Sequence, residues 1–167
     1  MEKEYLDDKI NFEAFFPFSK KDTTLNINLE EFLILFFGLS DNLTIKGKTR
    51  FQKLIYLLHK EFNVFPNLKY ERHIYGPYSE KLEAAFFNLL NMELVEEDVR
   101  YFNDFAYQIN RKLSNKGLKL FKKLKNKESQ QTIERVEKMI KHLKERKYFQ
   151  MELKDLLEIV YKKAGYI

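Results

Sequence analysis

The amino-acid sequence predicts a mainly α chain with a small β-hairpin or sheet, an α+β fold, on three observations. Apolar residues recur three and four apart in several stretches, most plainly at Phe51, Leu54, Ile55, Leu58 and Phe62, and that spacing lays one stripe along a helix. Between residues 94 and 113 the repeat is instead every second residue, as in strands. Apolar residues make up 44% of the 167, sixteen of them phenylalanine, so the chain has material for a sizeable core and does not read as disordered.

Residues 1–28 mix acids with Phe12, Phe15, Phe16 and Phe18 and hold no sustained period. They read as an N-terminal arm laid over the core; the alternative is an aromatic arm that docks on a second subunit or partner. Asn28 followed by Glu31 is the pattern of a capping box. The helix it opens, Leu29 to about Leu39, is apolar nearly all round and is expected to be buried. Lys46-Gly-Lys-Thr-Arg50 then leads into the helix of the Phe51–Phe62 stripe. Tyr70, Arg72 and Ile74 alternate as a short strand, which Tyr75-Gly-Pro-Tyr-Ser79 ends as a turn. Pro77 or Ser79 suits the opening of the next helix, which runs to about Met92 with Leu82, Ala85, Phe86, Leu89 and Leu90 as its buried stripe.

Leu94–Val99 and Phe105–Leu113 predict a half-buried hairpin, with Phe105, Tyr107 and Ile109 on one face. Ser114 caps a helix through Gly117, Leu118, Phe121 and Leu124. The order helix, strand, helix, hairpin, helix suggests a winged-helix-like unit over residues 29–127. A helical C-terminal tail occupies 128–167, where Ile133, Val136, Ile140 and Leu143 keep a narrow seam and Leu153, Leu156, Leu157, Val160 and Tyr161 make a second amphipathic helix. Two heptads are too few for an independent coiled coil, so the tail is expected to pack on the body, with a dimer seam as the alternative. One departure from a regular helix-turn-helix stands out: about sixteen residues, with Pro66 and Pro77, separate the two central helices, where the motif has a tight turn.

Arg50-Phe-Gln52-Lys53-Leu54-Ile-Tyr56-Leu57-Leu58, followed by Tyr75-Gly-Pro-Tyr-Ser79 and Leu82, resembles the signature of the YwgA-like and phage-associated families of small prokaryotic proteins. It is more remotely similar to the SocA-like (Panacea) antitoxin domain. Leu113-Ser-Asn-Lys-Gly117 resembles the exit from the wing of many winged-helix regulators, and Leu156-Leu-Glu-Ile-Val-Tyr161 resembles the closing helix of the same family. The resemblance implies a winged-helix-like fold and, in function, a protein-interaction module that is antitoxin-like or linked to phage or mobile elements.

Charge is distributed unevenly around a formal net +5. Residues 46–62 hold five lysines and arginines against one acid, residues 101–127 eight against one, and residues 81–100 two against five. Lys48, Arg50 and Lys53 at one helix start, and Arg111, Lys112 and Lys116 beyond the hairpin, are the candidates for DNA phosphates. Tyr78, Ser79 and Lys81, with Asn88 further on, are placed nearest the bases, although Glu80 and Glu83 beside them would repel phosphate. The alternative use of Arg50 is an internal pair with Glu80 or Glu83.

Other classes find little support. There is no cysteine, hence no disulfide or thiolate zinc site, in keeping with a reducing cytoplasm. The acidic N-terminus lacks a signal-peptide pattern, and the longest apolar run, Phe32–Leu39, falls far short of the roughly 20 residues of a membrane helix. His59, His73 and His142 sit in separate elements without ligand spacing. With no phosphate-binding glycine loop and no nucleophile elbow, neither an enzyme, a metal nor a cofactor is expected. The expectation is a cytoplasmic, homodimeric winged-helix regulator that binds double-stranded DNA; the alternative is a protein–protein interaction module without DNA binding.

Overall fold

In the computed structural model, which describes Phe16, residues 20–22 and residues 25–167, the helix α1 (Leu29–Leu39) is the axis of the core. Its capping box forms as the sequence predicts: the Glu31 amide donates to Asn28 Oδ1 at 2.8 Å and the Asn28 amide to Glu31 Oε1 at 3.2 Å. Every side chain from Phe32 to Phe37 is fully buried. A helix apolar on all sides needs neighbours on all sides, and α1 is packed by α3 (Glu80–Asn91), α4 (Asn115–Lys127) and α5 (Gln130–Glu145).

After β1 (Ile45–Lys46), Gly47 turns the chain with φ +97° into α2 (Lys48–Phe62). The chain between α2 and α3 departs from the sequence expectation. Tyr75-Gly-Pro-Tyr-Ser79 is not a simple turn, because Gly76–Tyr78 is itself a strand, β3, paired antiparallel with β2 (Glu71–His73) in the register Glu71↔Tyr78, Arg72↔Pro77 and His73↔Gly76. Ile74 and Tyr75 are left as the turn. Proline fits an edge strand that needs no donor. The hairpin lies on α2 and α6 (Leu153–Ala164), so the long α2–α3 connection is an inserted ribbon packed on the body.

A second hairpin, β4 (Val95–Tyr101) with β5 (Tyr107–Leu113), completes a three-stranded sheet in the order β1-β5-β4. Here too the expectation is corrected: only the base is buried. Val95 and Leu113 are in the core, whereas Tyr101, Phe102, Phe105 and Tyr107 are exposed at the far end. Phe105 belongs to the connecting loop and not to the strand. Ser114 caps α4 as predicted, accepting from Gly117 N at 3.0 Å. Gly117 is required for contact: a Cβ there would lie 1.9 Å from the Leu94 carbonyl oxygen.

The tail packs on the same core. Ile133, Val136, Ile140 and Leu143 are buried within the single chain against α1 and α2, so the seam is an intramolecular contact and not a dimer face. Glu61 of α2 receives His142 of α5 and, at 2.9 Å, Lys163 of α6. Burial alone would raise the Glu61 carboxyl, but its bonds to Lys163 and His142 outweigh this and hold it below the usual range. Phe16 is buried in the core; Phe12, Phe15 and Phe18 of the expected aromatic arm lie outside the described residues. Among the described residues no helix is long and apolar enough to cross a membrane.

Candidate nucleic-acid interface

The start of α3 is fixed from α2 by polar side chains that reach the backbone. Gln52 acts reciprocally, its Oε1 accepting from Ser79 N and its Nε2 donating to Ser79 O, both at 2.9 Å. Lys53 Nζ donates to the Pro77 carbonyl at 2.7 Å. Ser79 Oγ then caps α3 by accepting from Leu82 N at 3.2 Å. Two orphan groups of the helix end are thereby satisfied.

One turn into α3, Glu83 points inward. Arg111 of β5 meets it with two parallel bonds of 2.9 and 2.8 Å, and Arg111 Nε reaches Glu97 at 3.2 Å. The guanidinium also lies over the rings of Phe86 and Phe51, 3.9 and 5.0 Å from their centroids. This fork geometry is the strong form of an arginine–carboxylate pair. It ties α3 to the sheet.

These contacts reassign four of the nine candidate residues. Arg50, Lys53, Ser79 and Arg111 are buried, so none of them faces a ligand. Arg50 does not pair with Glu80 or Glu83 either; its guanidinium donates to the carbonyls of Tyr148 and Met151, at 3.1 and 2.7 Å, where burial lowers its pKa against the opposing pull of Glu152. Lys53 has a carbonyl as its bonded partner, and burial brings its pKa down to about 8. Tyr78 is half-buried and stacks on His73 with ring centroids 4.4 Å apart. Its hydroxyl is pushed up by burial and then by Glu83 and Glu80.

Lys48, Lys81, Lys112 and Lys116 keep more solvent contact. Lys48 Nζ sits 5.7 Å from the Phe87 ring centroid, which brings the start of α2 against the outer face of α3. Lys81 is exposed. Lys112 pairs with Glu96 at 3.4 Å, and Lys116 donates to the Met92 carbonyl at 3.0 Å. Of the six lysines of α4, Lys116 thus reaches the C-cap of α3, while the helix itself packs against α1 and β5.

What α3 presents outward is a stripe of Glu80, Lys81, Ala84, Phe87, Asn88 and Asn91, all exposed. Apart from Asn88 and Lys81, these were not among the sequence candidates, although they are the complement of the buried stripe and carry the helical spacing. Asn88 Nδ2 donates to Glu30 Oε1 at 3.2 Å, which orients its amide. A cleft of about 320 Å³ runs along one edge of this stripe, between Lys81, Ala84 and Asn88 and the Phe65–Leu68 segment. Chemically, the stripe offers a cation, the Glu80 carboxylate, two amides and two apolar contacts. Comparison of the chain with family models, curated proteins and solved structures returns no match.

Proposed function

We propose that this chain is a DNA-binding regulatory protein of winged-helix type in which α3 enters the major groove. The carrying observation is the inward turn of Glu83 onto Arg111. An acid that would face phosphate is neutralised inside the protein, which leaves Glu80, exposed at the start of α3, and Glu30, bonded to Asn88, as carboxylates at the stripe. Asparagine amides match the adenine edge and apolar side chains the thymine methyl, while Lys81 and Lys48 supply phosphate contacts that position without specifying. The arrangement α1-β1-α2-α3-β4-β5 with sheet order β1-β5-β4 supports this reading, as does the packing of the β2–β3 insertion on α2 and α6.

The test is fluorescence anisotropy with duplex DNA at two salt concentrations. Micromolar binding that weakens steeply with salt is expected. Lys81→Ala should reduce binding to all sequences, and Asn88→Ala together with Asn91→Ala should lose about 1–3 kcal/mol on a preferred sequence. No binding at low salt overturns the proposal. A second reading, a protein-interaction module, is favoured by the exposed aromatic end of β4–β5, where Phe105 is 96% and Tyr101 74% accessible. It predicts that the salt dependence is absent while a protein partner is retained.

A further inference from the structure

We infer that the outer edge of β4 is a self-association surface, joining two copies of this chain about a twofold axis at Val99 into one continuous antiparallel sheet. β4 forms one edge of the order β1-β5-β4. Ser114 N donates to Leu94 O at 3.1 Å and Phe102 N to Ala106 O at 2.9 Å. With the register Val95↔Leu113 through Tyr101↔Tyr107, these bonds direct the amides of Glu96, Asp98 and Arg100 toward β5. Alternate residues bond in an antiparallel pair, so Val95, Glu97, Val99 and Tyr101 direct theirs outward. Four residues of the edge therefore offer backbone groups to another strand.

The side chains select both the occupant and the register. With the axis at Val99, three of these four meet one another: Val99 faces Val99, and Glu97 faces Tyr101, while Val95 lies opposite the loop residue Asn103. On the opposite face Asp98 meets Arg100 twice, once on each side of the axis. Centring on Glu97 would oppose Glu96 to Asp98, and centring on Asp98 would keep the amides aligned but oppose two aspartates across the axis. The apolar content agrees. Val99, Tyr101 and Tyr107, 42%, 74% and 63% exposed, share a face with buried Val95 and Leu113. They continue the core face of the hairpin past the edge of the body, and the β4 of a second copy would set its Val99 and Glu97 beside Val99 and Tyr101.

The surface depends on the sheet edge and not on nucleic-acid binding, so the two readings fail separately. Size is measured by sedimentation equilibrium across a concentration series of the full chain. A dimer is expected. Asp98→Arg and Arg100→Asp should each weaken it at least about tenfold, and the two together should restore it by exchanging the partners. Val99→Pro should give a monomer with an intact hairpin, because the lost N–H points away from β5. The chain has no cysteine of its own, so a Val99→Cys chain should form a symmetric disulfide on mild oxidation, the paired Cα atoms being about 5.5 Å apart. Tyr101→Cys should not. A monomer at all concentrations overturns the inference, and so does a dimer indifferent to Asp98→Arg and Val99→Pro.

Discussion

Lys53 carries a positive charge into the core with a backbone carbonyl, not a carboxylate, as its bonded partner, and this has a consequence for pH. Its folded-state pKa, about 8, lies below its ordinary 10.5. Below pH 8 both folded and unfolded chains hold the proton. Between 8 and 10.5 the unfolded chain binds more, so the contribution of this group to stability rises with pH across that window and is complete above it. The charged form therefore withholds roughly 3 kcal/mol at pH 7. Lys53→Met should flatten the stability profile between pH 8 and 10, measured by urea unfolding at a series of pH values. A profile unchanged by the substitution would show that the ammonium is hydrated. Tyr70 and Tyr56, whose hydroxyls are raised mainly by burial, act with the opposite sign, but only above about pH 10. The burial of Lys53 was not legible in the sequence; an internal use of Arg50 was, though not its partners, the Tyr148 and Met151 carbonyls. A charged residue beside a helical stripe reads as its solvated flank, yet here burial runs unbroken from Arg50 to Leu58, because the β2–β3 hairpin and α6 cover the side that would otherwise face water.

At the scale of elements, the signals that proved readable were local. The caps at Asn28, Ser79 and Ser114 and the stripes of α1, α2 and α3 follow from near neighbours in the chain. What was not readable was long-range pairing. Gly76-Pro-Tyr78 resembles a turn until Glu71–His73 is laid against it, and no local pattern connects Glu83 with Arg111, 28 residues away. That pair joins α3 to the sheet and is fully removed from water on the arginine side. Arg111→Met leaves Glu83 buried without its counter-charge and should cost about 3–5 kcal/mol. Glu83→Leu combined with Arg111→Met should recover most of this loss, since an apolar pair of similar volume demands no desolvation. A thermal-unfolding cycle over the four chains gives the coupling. A double variant as unstable as the worse single would mean that Glu97 and Gln52, which also bond the pair, require both charges.

For the whole molecule, the question is whether residues 128–167 are an appendage, as their change of composition suggests, or a part of the core. Geometry favours the second. Met139, Leu143, Tyr148, Leu156 and Val160 are buried, Phe149 stacks on Phe36 of α1 with centroids 5.9 Å apart, and the carbonyls that receive Arg50 come from Tyr148 and Met151. Removing the tail would open one side of α1, a helix with no polar face to turn outward, and would leave the Arg50 guanidinium without either acceptor. Each large buried apolar side chain re-exposed costs about 1.5–3 kcal/mol, and several are lost together against a total stability of only about 5–15 kcal/mol. Residues 1–128 alone should therefore show no cooperative unfolding transition. The full chain should unfold once, with circular dichroism and tyrosine fluorescence coinciding. A cooperative transition in the shortened chain would instead mark the central unit as self-sufficient, and would move the boundary of the folding unit back to the position where the composition changes.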